Sequence, residues 1–294
     1  MSESLEGIAA RLETSDDYRV LRRFVPPGRY HEGDGSPTAT AVMVDVETTG
    51  LDPADDAIIE FCGVPFEFER ESGRILGVGA AVSFLEDPGR PIPAEVTRLT
   101  GITDAMVAGK RIDEEAVGAL AADAALVIAH NAAFDRPFVD RRLPHFREKH
   151  WACSQREVPW RAFGVSSGAL EFLMMKQCGL FFDGHRADAD CLAVIHLLQQ
   201  PLPGGTLPLS LLLESARTPS YVVRAVNSPF ETKDILKQRR YRWHPGDERL
   251  PKAWYKEVGA GELEDEEAWL RAEVYGGREG WKVDRVDARQ RYTE

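Results

Sequence analysis

Residues 41–50 read AVMVDVETTG. An apolar run is interrupted by Asp45 and Glu47 and then gives way to Thr48, Thr49 and Gly50. Side chains alternate along a strand, so the two carboxylates share one face while Val44 and Val46 share the other. Like charges on one face repel, and burying an unpaired carboxylate costs several kcal/mol. A strand at this position therefore calls for something positive against that face.

Working outward, residues 57–69 (AIIEFCGVPFEFE) and 74–86 (RILGVGAAVSFLE) read as two further strands separated by the turn ESG at 71–73. Two short helices are expected around LTGI, and residues 113–123 (DEEAVGALAAD) are helical in composition, with acids where the helix dipole favours them. A short buried strand at 125–130 (ALVIAH) leads into a helix at 134–143, with Pro137 expected in its first turn. Residues 151–158 read as another strand. Helices follow at 167–179, closed by Gly179, and at 188–200, stopped by Pro201. This order of elements implies an α/β fold with a mixed sheet flanked by helices.

Before this block, residues 15–25 suit a short amphipathic segment and 26–40 are linker chemistry, so ordered structure is expected from near Thr40. The organisation expected is an N-terminal segment and linker (1–39), a main domain (40–203), a joint (204–219) and a small C-terminal α+β module (220–294). The window 220–258 holds nine lysines and arginines against five acids, with Tyr221, Phe230, Tyr241, Trp243, Trp254 and Tyr255 among them. Such residues hold phosphates and stack bases, but the same aromatics serve a small core and the same cations a solvated or protein-docking face. Residues 262–275 return to an acidic amphipathic helix.

Bulk composition sets broad bounds. Hydrophobic residues make up 43% of the 294 and charged residues 29%, the proportions of a soluble globular chain. No run approaches the roughly 18 apolar residues of a membrane span, and the acidic, polar N-terminus is neither a secretory signal nor a transit peptide. Cys62, Cys153, Cys178 and Cys191 show no paired spacing, which fits reduced thiols in a cytoplasmic protein. A formal charge of −12 argues against a general nucleic-acid binder with a long basic groove.

Two other polar interruptions stand at the ends of apolar segments: HNAAFD at 130–135 and HRADAD at 185–190. If these termini meet Asp45 and Glu47, then Asp135 and Asp190 complete a cluster of four carboxylates. Hard oxygen ligands of that number suit two divalent ions, Mg²⁺ or Mn²⁺, and not zinc. Together DVETTG, HNAAFD and HRADAD resemble the three motifs of the DEDDh 3′–5′ exonucleases, the family of the proofreading epsilon subunit of bacterial DNA polymerase III. The resemblance spans about residues 40–200, and LTGIT at 99–103 resembles the segment between the first two motifs.

The resemblance implies an RNase H-like fold. It also implies two metal ions held by Asp45, Glu47, Asp135 and Asp190, and His185 as general base, an imidazole being able to take a proton near neutrality. Thr48, Thr49 and Gly50 are expected beside the terminal nucleotide, with Glu95, Leu99 and Thr100 wedging or hydrogen-bonding the 3′ end. His130 and Asn131 are expected to shape the motif or touch substrate, and Phe134 to stack or to pack beneath Asp135. The expected activity is release of nucleoside 5′-monophosphates from a 3′ end, of single-stranded DNA or alternatively of RNA. Service to a DNA polymerase or repair complex is the partner expected, with an accessory subunit acting mainly through tethering as a further alternative. Nothing in the residue pattern selects the sugar.

Overall fold

In the computed structural model of the chain, residues 4–246 and 250–293 are described; Asp247, Glu248 and Arg249 of the basic window lie outside them. Two compact units emerge, Met1–Glu214 together with Tyr292–Glu294, and Ser215–Arg291.

The first unit opens with α1 (Leu5–Leu12), whose N-cap Ser4 accepts a bond from the Gly7 amide, and β1 (Arg22–Arg23). Order thus begins well before Thr40. Arg22 supplies the reason: its guanidinium joins Glu6 at 2.8 Å and Glu13 at 2.5 Å, while Tyr30 Oη meets His196 Nδ1 at 3.2 Å.

The main sheet contains β2 (Thr38–Thr48), β3 (Ile58–Glu69), β4 (Ile75–Val78) and β5 (Val82–Leu85). The expected third strand is thus two, both antiparallel to β3. Pro65 lies between the two pairing stretches and has no N–H to donate; the chain there passes through Gly79, whose amide donates to the Pro65 carbonyl at 2.7 Å. Next come α2 (Ala94–Thr100), α3 (Asp104–Val107), α4 (Glu114–Ala122, capped by Asp113), β6 (Leu126–Ala129), α5 (Ala132–Arg142) and β7 (Trp151–Cys153). Pro137 falls in the second turn of α5, not the first, because the helix starts two residues earlier, directly after Asn131. The expected strand at 151–158 is three residues long, since Glu157 folds back to accept from the Cys153 amide. Then follow α6 (Leu170–Leu173), widened into a π-type turn over Met174–Cys178 and closed by Gly179 at φ 67°, β8 (Leu180–Phe181), α7 (Ala187–Leu198) and α8 (Pro208–Arg217). β8 pairs in parallel with β1.

The sheet order is β4-β3-β2-β6-β7, with β5 also on β3. β2 pairs antiparallel with β3 and parallel with β6, and β6 pairs parallel with β7. This is the mixed sheet flanked by helices that the order of elements implies. On one face Val42, Val44, Val46 and Phe61 pack with Val117, Leu120, Phe138 and Val139 of α4 and α5. α7 packs against β2 and β3, with Cys191, Val194, Ile195 and Leu198 on its buried side. Cys62, Cys153 and Cys191 are buried and Cys178 half-buried, all as free thiols.

The second unit is a four-stranded antiparallel sheet with helices. It comprises β9 (Ser220–Val226), α9 (Lys233–Gln238), β10 (Arg242–His244), β11 (Ala253–Gly259), α10 (Leu263–Trp269) and β12 (Lys282–Val286), in the order β10-β11-β9-β12. β12 has no clear signal in the sequence: KVDRV is too polar to read as a strand, and it forms by antiparallel pairing with β9. No helix among the described residues is long and apolar enough to cross a membrane.

Candidate metal centre

β2 and β6 are parallel neighbours with Met43 opposite Ile128. That register brings the end of β6, and hence the HNAAFD segment that opens α5, level with Asp45 and Glu47. The carboxyl ends of adjacent parallel strands are where α/β sheets build their sites. Asp45 and Glu47 stand opposite Cys62 and Glu60 of β3, on the face that α7 covers. A bulge between Glu47 and Thr48 then shifts the register.

Asp45, Glu47 and Asp190 each present an oxygen, and these atoms lie within 4.8 Å of one another. Asp135 is more deeply placed. Its Oδ1 accepts from the Val46 amide at 3.3 Å, which ties α5 to β2, and its charge bears directly on Asp45. Burial raises the pKa of all four. Asp45 goes well above the usual carboxylate range through burial and then through Asp135, Asp190 and Glu47. Glu47 rises to about 8 by burial and by the charges of Asp190 and Glu60. Burial likewise takes Asp135 to about 7 and Asp190 to about 6. Four crowded carboxylates at half-buried and buried positions amount to a strong demand for positive charge. Hard oxygen donors in this number fit divalent ions of the Mg²⁺ and Mn²⁺ class.

His185 is exposed, at φ 65°, in the loop before α7, and its amide donates to Asp190 Oδ2 at 3.0 Å. The unusual backbone angle is a strained one for a residue with a Cβ. It persists because the loop is pinned from the other side. Glu60 is 1% exposed; its carboxylate takes Arg186 Nη2 at 2.8 Å and the Ala187 amide at 3.2 Å. Glu60 and Arg186 were not among the residues singled out in the sequence. The signal was present, since Glu60 interrupts IIEFCGV as Asp45 interrupts AVMVDV.

The residues expected around the 3′ end are divided between buried and open positions. Thr48 is buried, with its hydroxyl on the Gly50 carbonyl at 2.6 Å. Thr49 is buried too, donating to Asp56 Oδ1 at 2.9 Å and accepting from Arg90 at 2.7 Å. A Cβ on Gly50 would collide with the Asp56 carboxylate, which would have to move from its bond to Thr49. His130 is buried, both ring nitrogens engaged at 2.8 Å by Ser154 and the Gly168 carbonyl, and burial lowers its pKa to about 4. It thus behaves as a structural strut. Asn131 Oδ1 is buried without a hydrogen-bond partner. Phe134 packs on Phe138 at 5.2 Å between ring centroids. On α2, Thr100 is buried and bonds the Val96 carbonyl at 3.0 Å, whereas Glu95 is exposed and Leu99 is 57% exposed.

A half-buried carboxylate cluster beside the ends of two parallel strands has the donor chemistry of a divalent-cation site. Residues 42–198 match the RNase T family of exonucleases, and the chain belongs to that family. Among curated relatives, a DNA polymerase III subunit epsilon-like protein of Rhodobacter capsulatus is 39% identical over 112 residues, 35% of this chain and 14% of the relative. A PolC-type DNA polymerase III of Listeria welshimeri is 39% identical over 114 residues, 36% of this chain and 7% of that protein. The similarity thus spans a small part of these relatives' length. Among solved structures, exonuclease X in complex with 5′-overhanging duplex DNA is similar at a TM-score of 0.39 and 24% identity, covering 58% of this chain and 99% of that one. Escherichia coli exonuclease I with a dA16 oligonucleotide is similar at a TM-score of 0.48 and 16% identity, covering 75% and 63%.

Proposed function

We propose that the chain hydrolyses phosphodiesters one nucleotide at a time from the 3′ end of DNA, releasing nucleoside 5′-monophosphates in proofreading or repair. The observation that carries this reading is the convergence of Asp45, Glu47 and Asp190 within 4.8 Å, in a chain of the exonuclease family. Asp45, Glu47, Asp190 and Asp135 would hold two divalent cations, which when bound polarise the scissile phosphate and stabilise the leaving oxygen. His185 is assigned the proton of the attacking water. Its exposure and the anchoring of its loop through Arg186 and Glu60 leave the imidazole open to solvent on a fixed backbone. Thr48, Thr49 and Gly50 shape the floor beneath the last nucleotide, and exposed Leu99 supplies an apolar edge for its base. Docking to a polymerase or repair assembly is part of the same reading, supported by the polymerase III relatives.

The test is product analysis on 5′-labelled and 3′-labelled DNA and RNA strands with Mg²⁺, Mn²⁺ or EDTA. Stepwise shortening of 5′-labelled DNA, mononucleotide release from 3′-labelled DNA, and silence in EDTA are expected. Internal cutting, or preferential digestion of RNA, would replace the proposal.

A further inference from the structure

The second unit builds its core from Val223, Ala225, Leu236, Tyr241, Val258 and Leu270. Two aromatic side chains of this unit stay largely outside it: Phe230 is 75% exposed and Trp243 is 51% exposed. Phe230 is joined to a cation directly, and Trp243 through a neighbouring ring. Lys233 Nζ sits 4.2 Å from the Phe230 ring centroid. Lys237 Nζ lies 5.7 Å from the centroid of Trp254, whose ring meets Trp243 edge-on at 5.5 Å. Lys233 and Lys237 are four apart on α9 and so share one face of it. The result is a continuous strip, Phe230–Lys233–Lys237–Trp254–Trp243, running from the start of α9 to the edge strand β10. Beside it, the Arg242 guanidinium covers Tyr255 at 5.0 Å.

Several other cations of this unit are neutralised. Arg239 and Lys256 grip the buried Glu266 at 3.0 and 2.6 Å, and Arg224 pairs with Asp284 at 3.0 Å. Among the described residues, neither Lys233 nor Lys237 enters a salt bridge, although Glu231 and Asp234 are exposed on the same segment. Exposed rings alternating with ammonium groups that enter no salt bridge match a chain that alternates base and phosphate. Bases offer free faces only when unpaired. On a chain of net charge −12, such a strip is also a local exception that directs a polyanion to one place.

We propose that this strip binds single-stranded nucleic acid, with bases stacking on Phe230 and Trp243 and phosphates meeting Lys233 and Lys237. The inference rests on the reading of the chain as a nucleic-acid enzyme, but it places a contact outside residues 42–198 and does not depend on cleavage.

The experiment uses the full chain carrying Asp45→Asn, in EDTA, with fluorescein-labelled dT20 and a 20-base-pair duplex followed by anisotropy across a salt series. Trp243→Ala and Phe230→Ala should each weaken dT20 binding by roughly fivefold or more with the salt slope unchanged. Lys233→Gln with Lys237→Gln should lower the log–log salt slope by about 1.4, as expected for two phosphates of a single strand. The duplex should be bound more weakly than dT20 and be little affected by the ring substitutions. If all variants bind dT20 within twofold of the parent with the same slope, or if the duplex loses as much as dT20, the strip is not a single-strand site. Cleavage of 5′-labelled DNA by the chain with native Asp45 is read in parallel. Absence of cleavage with the binding losses intact would remove the exonuclease reading and leave the strip standing.

Discussion

Asp45 is held in the folded chain against two opposing effects, burial and the charges of Asp135, Asp190 and Glu47. A site residue retained at that cost separates activity from stability. Asp45→Asn removes the charge and keeps the shape, so it should lower cleavage by about a thousandfold. The same change should stabilise the metal-free chain by on the order of 1 kcal/mol, read as a raised Tm in EDTA. A variant that loses Tm instead would show that Asp45 is paired within the fold. His185 makes the opposite prediction. It is exposed, so His185→Ala should leave Tm unchanged while kcat falls by roughly a hundredfold or more. The concentration of Mg²⁺ giving half-maximal rate should stay within about twofold; unchanged turnover would dismiss it as the base.

At the scale of elements, the junction of β3 and α7 decides how two of these residues are presented. Glu60 lies on the strand beside Glu47, and through Arg186 and the Ala187 amide it fixes the start of the helix that carries Asp190. Glu60→Gln keeps the volume but weakens the hold on Arg186. Kcat should fall by roughly ten- to a hundredfold, with the half-maximal Mg²⁺ concentration rising and KM for DNA little changed. Loss of KM alone would place Glu60 in substrate binding. The pattern of apolar and polar positions shows β2, β3, α4 and α7 from the sequence, because each carries a strong period or a capping residue. The division of the third strand into β4 and β5 was hidden, since its cause, Pro65, sits on a neighbouring strand. Likewise α1 and β1 fall in the N-terminal segment that the sequence places before the ordered structure, because the Arg22 bridges to Glu6 and Glu13 are made between segments of low hydrophobicity.

For the molecule as a whole, the carboxylate cluster sets a pH dependence. The folded pKa values of Glu47 and Asp135, about 8 and 7, lie above those of free carboxylates. The folded chain therefore holds more protons than the unfolded one between about pH 4 and 8, and stability falls as pH rises through that window. His130, lowered to about 4, acts in the reverse sense, but only below about pH 6.5 where the unfolded imidazole takes up a proton. The window from pH 6.5 to 8 thus isolates the carboxylates. In EDTA, Tm should drop across it. Millimolar Mg²⁺ or Mn²⁺ should restore Tm, and by more at pH 8 than at pH 6.5, because ligands already deprotonated need give up no proton. Equal restoration at both pH values would mean that the ions bind elsewhere.

The sequence alone determined most of the order of elements in residues 40–200, short of the split third strand and β8, and the three motifs that carry the carboxylates. Local physics suffices for that: alternation, capping, and the anomaly of acids in an apolar strand are all readable over a few residues. Only the tertiary structure decided which of those residues share a site and which serve the scaffold. Asp190 joins Asp45 and Glu47 at 4.8 Å or less because α7 lies on their face of the sheet. His130 and Thr49, equally prominent in the motifs, turn inward to Ser154 and Asp56. Glu60 reaches Arg186 across 126 positions of chain. Such long-range pairings leave no periodic trace in a sequence, since packing in three dimensions chooses the partner.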